Sequence, residues 1–174
     1  MRIARYIAGL VLLAFVSYNF INGRYAASGT LMDKARRDEV ALVEKNDPDM
    51  AAAFRKARQT LPEFLALARA PRPTATNLAV KIAIPAGDDD EYFWVAQFAP
   101  RGDKYGGRIN NTPRAAKQVK LGQVIEFAEA EIVDWLYMEG GKMRGNFTAC
   151  ALLKREPPGQ LEAMKKQYGL SCDS

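Results

Sequence analysis

The spacing of apolar residues changes character several times along the chain. Ile7 to Ile21 reads IAGLVLLAFVSYNFI, an uncharged run with Arg2 and Arg5 before it and Arg24 behind it. A basic start followed by an apolar run is the layout of an export signal or a membrane anchor. As a helix rising about 1.5 Å per residue the run reaches about 22 Å, short of the roughly 30 Å hydrocarbon core. Tyr6, Asn22 and Tyr25 can extend it at the two interfaces. Cleavage after Ala26 or Ala27 would put Arg24 or Tyr25 at the third position back, and Gly23 is a better site. Segment 1–24 therefore reads first as a retained anchor and second as a cleaved signal, with an exported domain behind it in both cases. No cysteine follows the run, so a lipoprotein anchor is excluded. Arg24, Lys34, Arg36 and Arg37 pull against export, because positive charge beside a membrane helix favours the cytoplasmic side.

Segment 25–46 is a charged spacer. Asp33 with Arg37, and Lys34 with Asp38, stand four apart and support an exposed helix. Asn46-Asp47-Pro48 is a helix start, with Asp47 as cap and Pro48 in the first turn. Apolar residues then recur at Met50, Ala53, Phe54, Ala57, Leu61, Phe64, Leu65 and Ala68, one face of a helix. Thr60-Leu61-Pro62-Glu63 has the form of a fresh capping box, predicting a kink or two abutting helices.

Beyond the linker 70–74 the period becomes two. Leu78, Val80, Ile82 and Ile84 predict a half-buried strand, and Glu91 to Phe98 the next, with Tyr92, Trp94, Ala96 and Phe98 on one face. Val124 to Phe127 and Ile132 to Met138 read as strands or as one bent strand; Gly140-Gly141 turns the chain, and Asn146 to Lys154 reads as a further strand. Pro157-Pro158 opens a last helix that Gly169 stops. The predicted class is α+β: helical segments packed on an antiparallel sheet of four to six strands, with a short C-terminal helix, behind an N-terminal membrane anchor.

Composition narrows the chemistry. The 174 residues hold no histidine, which removes Ser-His-Asp and Cys-His catalysis, His-ligated metals and an imidazole pH switch. Two cysteines alone build no structural zinc site, and no metal or cofactor is expected. The net charge of +5 falls to +2 once Arg2, Arg5 and Arg24 are set aside, so no global basic surplus remains to favour nucleic acid.

Segment 134–146, DWLYMEGGKMRGN, borders polar and aromatic residues on a glycine turn. One reading gives Trp135 or Tyr137 to a ligand face with Asp134, Lys142 and Arg144 as polar contacts. The other is a structural hairpin, in which Asp134 ties down backbone amides and Trp135 fills the core. Trp94, Arg108, Asn110 and Asn146 complete the candidate binding set. The block Glu126, Glu129, Glu131, Asp134 and Glu139 offers acids for a carboxylate-dependent hydrolase. Asp88-Asp89-Asp90-Glu91 lacks the ligand spacing of a calcium loop and reads as a solvated hairpin tip. Arg101, Lys104, Arg108, Arg114, Lys117 and Lys120 form a local basic stretch that suits an anionic surface, or else a solvated loop. Cys150 and Cys172 can pair in an oxidising compartment and pin the C-terminus to the sheet.

The helix DPDMAAAFRKARQTLPEFLA, the strand EYFWV, the segment GGRINNTP and above all DWLYMEGGKMRGNFTACALL resemble a YegJ-like bacterial domain of unknown function. The resemblance implies a domain over 47–174 and no established reaction. The expected role is a membrane-anchored or periplasmic binding module. It would engage a protein or envelope component through a surface near Trp135, Lys142 and Arg108. The alternatives are an envelope hydrolase and a binder of anionic surfaces or nucleic acid.

Overall fold

The computed structural model of the protein describes residues 47–87 and 89–172. The expected anchor 1–24, the spacer 25–46 and Asp88 lie outside the described residues. Among the described residues no helix is long and apolar enough to cross a membrane.

Helix α1 spans Pro48–Arg69. The Asp47 carboxylate caps it, accepting from the amides of Asp49 (2.9 Å) and Met50 (3.0 Å). The helix continues through Pro62 instead of starting again. The Thr60 hydroxyl donates back to the Lys56 carbonyl (2.8 Å), so it does not cap a second helix. Met50, Ala53, Ala57, Leu61, Phe64 and Leu65 are its buried stripe, each large aliphatic or aromatic side chain contributing about 1.5–3 kcal/mol.

Six antiparallel strands follow: β1 (Ala75–Ala86), β2 (Asp89–Arg101), β3 (Lys104–Ile109), β4 (Val124–Phe127), β5 (Ile132–Glu139) and β6 (Lys142–Gly145), in the spatial order β4-β3-β2-β1-β5-β6. β4 and β5 are therefore separate strands, four inter-strand steps apart. On a flat sheet that is about 19 Å. Residues 128–131, partly wound into a 3-10 turn at Glu129–Glu131, can span at most about 18 Å from Phe127 to Ile132. The sheet must curl, and register shifts mark where it does: between Thr76 and Ala79, between Lys81 and Ile82, and between Ala96 and Ala99. Asn77 and Gln97 occupy two of these bulges with positive φ. α1 fills the concave side, where Arg58 donates to the carbonyls of Glu129 (3.0 Å) and Ala130 (2.7 Å).

The bulges also change which residues are buried. In β2 the inner residues are Phe93 and Val95, and Trp94 turns to the other face. The bulge at Gln97 then returns Phe98 to the Val95 side, so the expected set Tyr92, Trp94, Ala96 and Phe98 does not share a face. Gly107 lies against both Val95 and Phe98, where no Cβ fits. The second face packs Ala79, Leu136 and Met143 against Met164, Tyr168 and Leu170. Met164 and Tyr168 belong to helix α3 (Pro158–Tyr168), which ends at Gly169 with φ +66°.

Segment 146–154 is not a strand. Phe147–Leu153 is a helix, α2, entered through Asn146 at φ +54°. Its cap is supplied from β5, twelve residues earlier. The Asp134 carboxylate is wholly buried and accepts from the amides of Trp135 (2.8 Å), Phe147 (3.3 Å) and Thr148 (2.9 Å) and from the Thr148 hydroxyl (2.6 Å). Lys81 reaches the same place, donating to Thr148 Oγ1 (2.5 Å) with its ammonium 4.5 Å from the centre of the Trp94 ring. Burial pushes the Asp134 carboxyl up and the Lys81 ammonium down, and each charge partly offsets the other's desolvation.

The carboxy-terminal residues close the β6 edge. Met143 N donates to Gly169 O (2.7 Å), Ser171 N to Met143 O (3.3 Å), and Leu170 bridges Met143 in parallel. A Cys150–Cys172 disulfide, Cα–Cα 5.6 Å, holds this strap to α2. At the other edge β4 has four residues, with Val124 exposed and Leu121 exposed just before it.

Two predictions follow from these contacts. Asp134→Ala leaves Lys81 without its counter-charge and α2 without its cap, and lowers stability by about 3–5 kcal/mol in urea unfolding. Lys81→Met combined with Asp134→Asn costs less than the sum of the two single changes, because no lone buried charge remains. The second concerns acid. The Arg155 guanidinium bonded to Asp47 holds that carboxyl below its usual value, helped by the Met50 amide. A lowered folded pKa contributes stability that is present above the unfolded value and lost as pH falls through the folded one. Arg155→Gln is therefore less stable than the parent near neutral pH. Thermal unfolding across a pH series shows the gap closing below about pH 4.

Candidate functional site

The β5–β6 hairpin turns on Gly140 and Gly141, with φ of +56° and +76°, the geometry a two-residue hairpin loop favours. Its register sets Tyr137 opposite Arg144 and Glu139 opposite Lys142. On the α1 side, Trp135 stacks on Phe64 (ring centres 4.9 Å, 12° between planes) and meets Phe147 edge-on at 5.4 Å. Its indole N–H donates to the Ala57 carbonyl (3.1 Å). Gly145 packs on the Trp135 carbonyl and ring, where a Cβ would overlap both. Tyr137 extends the stack, 6.1 Å from Trp135 and 6.3 Å from Phe64.

Above this aromatic floor lies a half-open groove of about 390 Å³ between α1 and the hairpin. Lys56, Thr60, Glu63 and Leu67 form the α1 wall. Tyr137, Arg144 and Phe147 form the other wall, and Arg72 and Glu139 close one end. Arg72 pairs with Glu139 at 2.9 Å, and Thr74 donates to the same carboxylate oxygen (3.3 Å). The Lys56 ammonium stands 5.3 Å from the centre of the Phe147 ring. Tyr137 and Arg144 are half-buried, and among the described residues neither the hydroxyl nor the guanidinium has a hydrogen-bond or ion-pair partner. The groove thus offers two neighbouring donors over an aromatic surface.

The structure divides the sequence candidates into groups. Trp135, Tyr137 and Arg144 share the groove. Asp134 is sealed beneath it as the α2 cap, and Asn146 is a buried turn residue whose amide contacts Met143 Sδ (3.3 Å). Lys142 is exposed beside the hairpin turn. Arg108 is on β3, with β2, β1 and β5 between it and β6, so it does not form one surface with Trp135 and Lys142, which share the hairpin. Trp94 lies on the opposite sheet face over Lys81. Its carbonyl accepts from Asn110 N (2.8 Å), while its amide donates to the Asn111 side chain (2.7 Å).

The acidic and basic stretches are mostly engaged in structure. Glu126 pairs with Arg101 (3.7 Å), Glu131 accepts from Ala128 N (2.6 Å), and Asp134 has no exposure. These carboxylates do not face one cleft. Buried Glu91 accepts from the amides of Arg114 (2.8 Å), Ala115 (2.9 Å) and Ala116 (2.8 Å), anchoring the loop after β3. Arg108 donates to Gly122 O (2.6 Å), and Lys117 donates to the Arg114 carbonyl. Among the described residues no group of three acidic or cysteine ligands is gathered for a metal.

The α1 wall was not among the sequence candidates, yet its signal is in the chain. Lys56, Thr60, Glu63 and Leu67 fall at i, i+4, i+7 and i+11, a stripe beside the buried one at Ala57, Leu61 and Phe64.

No solved structure matches this chain. It is 27% identical over 116 residues to the uncharacterized protein YegJ of Escherichia coli (strain K12), covering 67% of this chain and 74% of that protein. The family model described as "Uncharacterized protein conserved in bacteria (DUF2314)" matches residues 47–172, the helix, sheet and C-terminal strap just described. The chain belongs to that family of uncharacterized bacterial proteins.

Proposed function

We propose that the protein is an exported, membrane-anchored binding module that engages a protein or envelope component through the groove between α1 and the β5–β6 hairpin. The observation that carries this reading is the unpaired Tyr137–Arg144 pair above the Trp135 floor. Both groups are half-buried and reach solvent, so a ligand meets them by displacing water. Two adjacent donors left open in a concave, aromatic-lined site are available to a ligand. The Cys150–Cys172 disulfide fits an oxidising compartment, and the apolar run Ile7 to Ile21 fits delivery there.

A photo-crosslinking residue at Leu67 in the full-length chain, compared with one at Lys104 outside the groove, tests this in the native cell. The Leu67 position is expected to give a discrete adduct that Thr60→Tyr, which narrows the groove, abolishes. Identical adduct profiles from Leu67 and Lys104 would sink the reading. Cys150 and Cys172 are expected to resist thiol alkylation in intact cells until a reductant is added. Free thiols in untreated cells would count against export.

A further inference from the structure

We infer that the groove takes a monocarboxylate carried on a flat or apolar body. This names the ligand class for the site proposed above and rests on that reading. Tyr137 and Arg144 stand directly opposite each other across β5 and β6, and both line the groove. A guanidinium presents a planar fork that matches the two oxygens of a carboxylate, and the phenolic O–H adds a third donor beside it. The groove supplies apolar surface for the body of the ligand: Leu67 on the α1 wall, Phe147 on the other, and the exposed part of the Trp135–Tyr137 stack between them. A volume of about 390 Å³ lies within the range of small-molecule sites.

The surrounding charge sets a limit of one negative charge. Arg72 is matched by Glu139, and Lys56 shares the α1 wall with Glu63. A single anion at Arg144 leaves this balance intact. A phosphate monoester brings a second negative charge into a groove already lined by two carboxylates, and like charges at close range are unfavourable. The uncharged amide of the same acid loses the ionic part of the contact with Arg144 and presents an N–H₂ group where an acceptor is wanted.

The test uses the purified full chain in detergent carrying Trp94→Phe. Of the two tryptophans only Trp135 then remains, and its fluorescence reports on the groove. The probes are 3-phenylpropionate, 3-phenylpropionamide, phenyl phosphate and the tripeptide Ala-Ala-Phe with a free C-terminus. Phenylpropionate is expected to shift the emission saturably, with the amide and phenyl phosphate each at least tenfold weaker. Arg144→Gln should weaken phenylpropionate at least tenfold, Arg144→Lys less, and Tyr137→Phe a few-fold, with unchanged unfolding midpoints. Tighter binding of the tripeptide than of phenylpropionate assigns the carboxylate to a peptide terminus. The reverse assigns it to a free acid. If acid and amide bind equally and Thr60→Tyr abolishes both, the carboxylate assignment is wrong while the binding groove stands. If no probe moves Trp135, the carboxylate assignment falls, and the Leu67 crosslink decides the binding groove separately.

Discussion

One buried carboxylate organises the half of the molecule that carries the groove. Asp134 draws together the amide of its own neighbour, the first two amides of α2 and the Thr148 hydroxyl, and it does so with no exposure to water. An unmatched carboxylate in that position would be costly. The Lys81 ammonium on the adjacent strand makes it tolerable, shielded in turn by the Trp94 ring. Because the acceptor sits on β5 and the donors on α2, the cluster fixes where α2 leaves the sheet. That departure places Phe147 against Trp135 and Cys150 within reach of Cys172.

The groove depends on this arrangement from one side and on the curl of the sheet from the other. Bulged strands wrap α1, so the flank of the helix at Lys56, Thr60, Glu63 and Leu67 faces the hairpin across a gap. Gly145 keeps β6 close to Trp135, where a side chain would overlap the Trp135 carbonyl and ring. The aromatic contacts continue past the groove, from Phe64 to Phe98, Tyr105 and Phe127. A continuous row of rings therefore runs from the site to β4 at the far edge of the sheet.

Local signals in the sequence were sufficient where the cause was local. Asp47, the α1 stripe and Gly169 each act on neighbours within a few residues, and each reads correctly from the chain. Segment 146–154 misleads because its cap is twelve residues away, and Asn-Phe-Thr-Ala-Cys-Ala-Leu-Leu is compatible with a strand when read alone. The face of Trp94 misleads because a bulge at Gln97 shifts the phase of β2, and a period-two pattern carries no mark of an extra residue. In the site, Trp135, Tyr137 and Arg144 were legible because one hairpin brings them together. The sequence does not separate Arg108 from them, because strand order is a long-range property. The polar stripe of the α1 wall reads as a solvated helix face until the hairpin is placed opposite it.

The strap of residues 169–171 across β6 has a consequence for self-association. A sheet with two open edges can add a copy of itself at each and grow without limit. Here one edge is occupied by the chain's own carboxy-terminal residues and stapled to α2, and the other is only four residues long. Edge-to-edge pairing through β4 can join two copies, and the described sheet then has no open edge left. Among the described residues the sheet offers only one short edge to a second copy, the other being held by a disulfide and one parallel bridge.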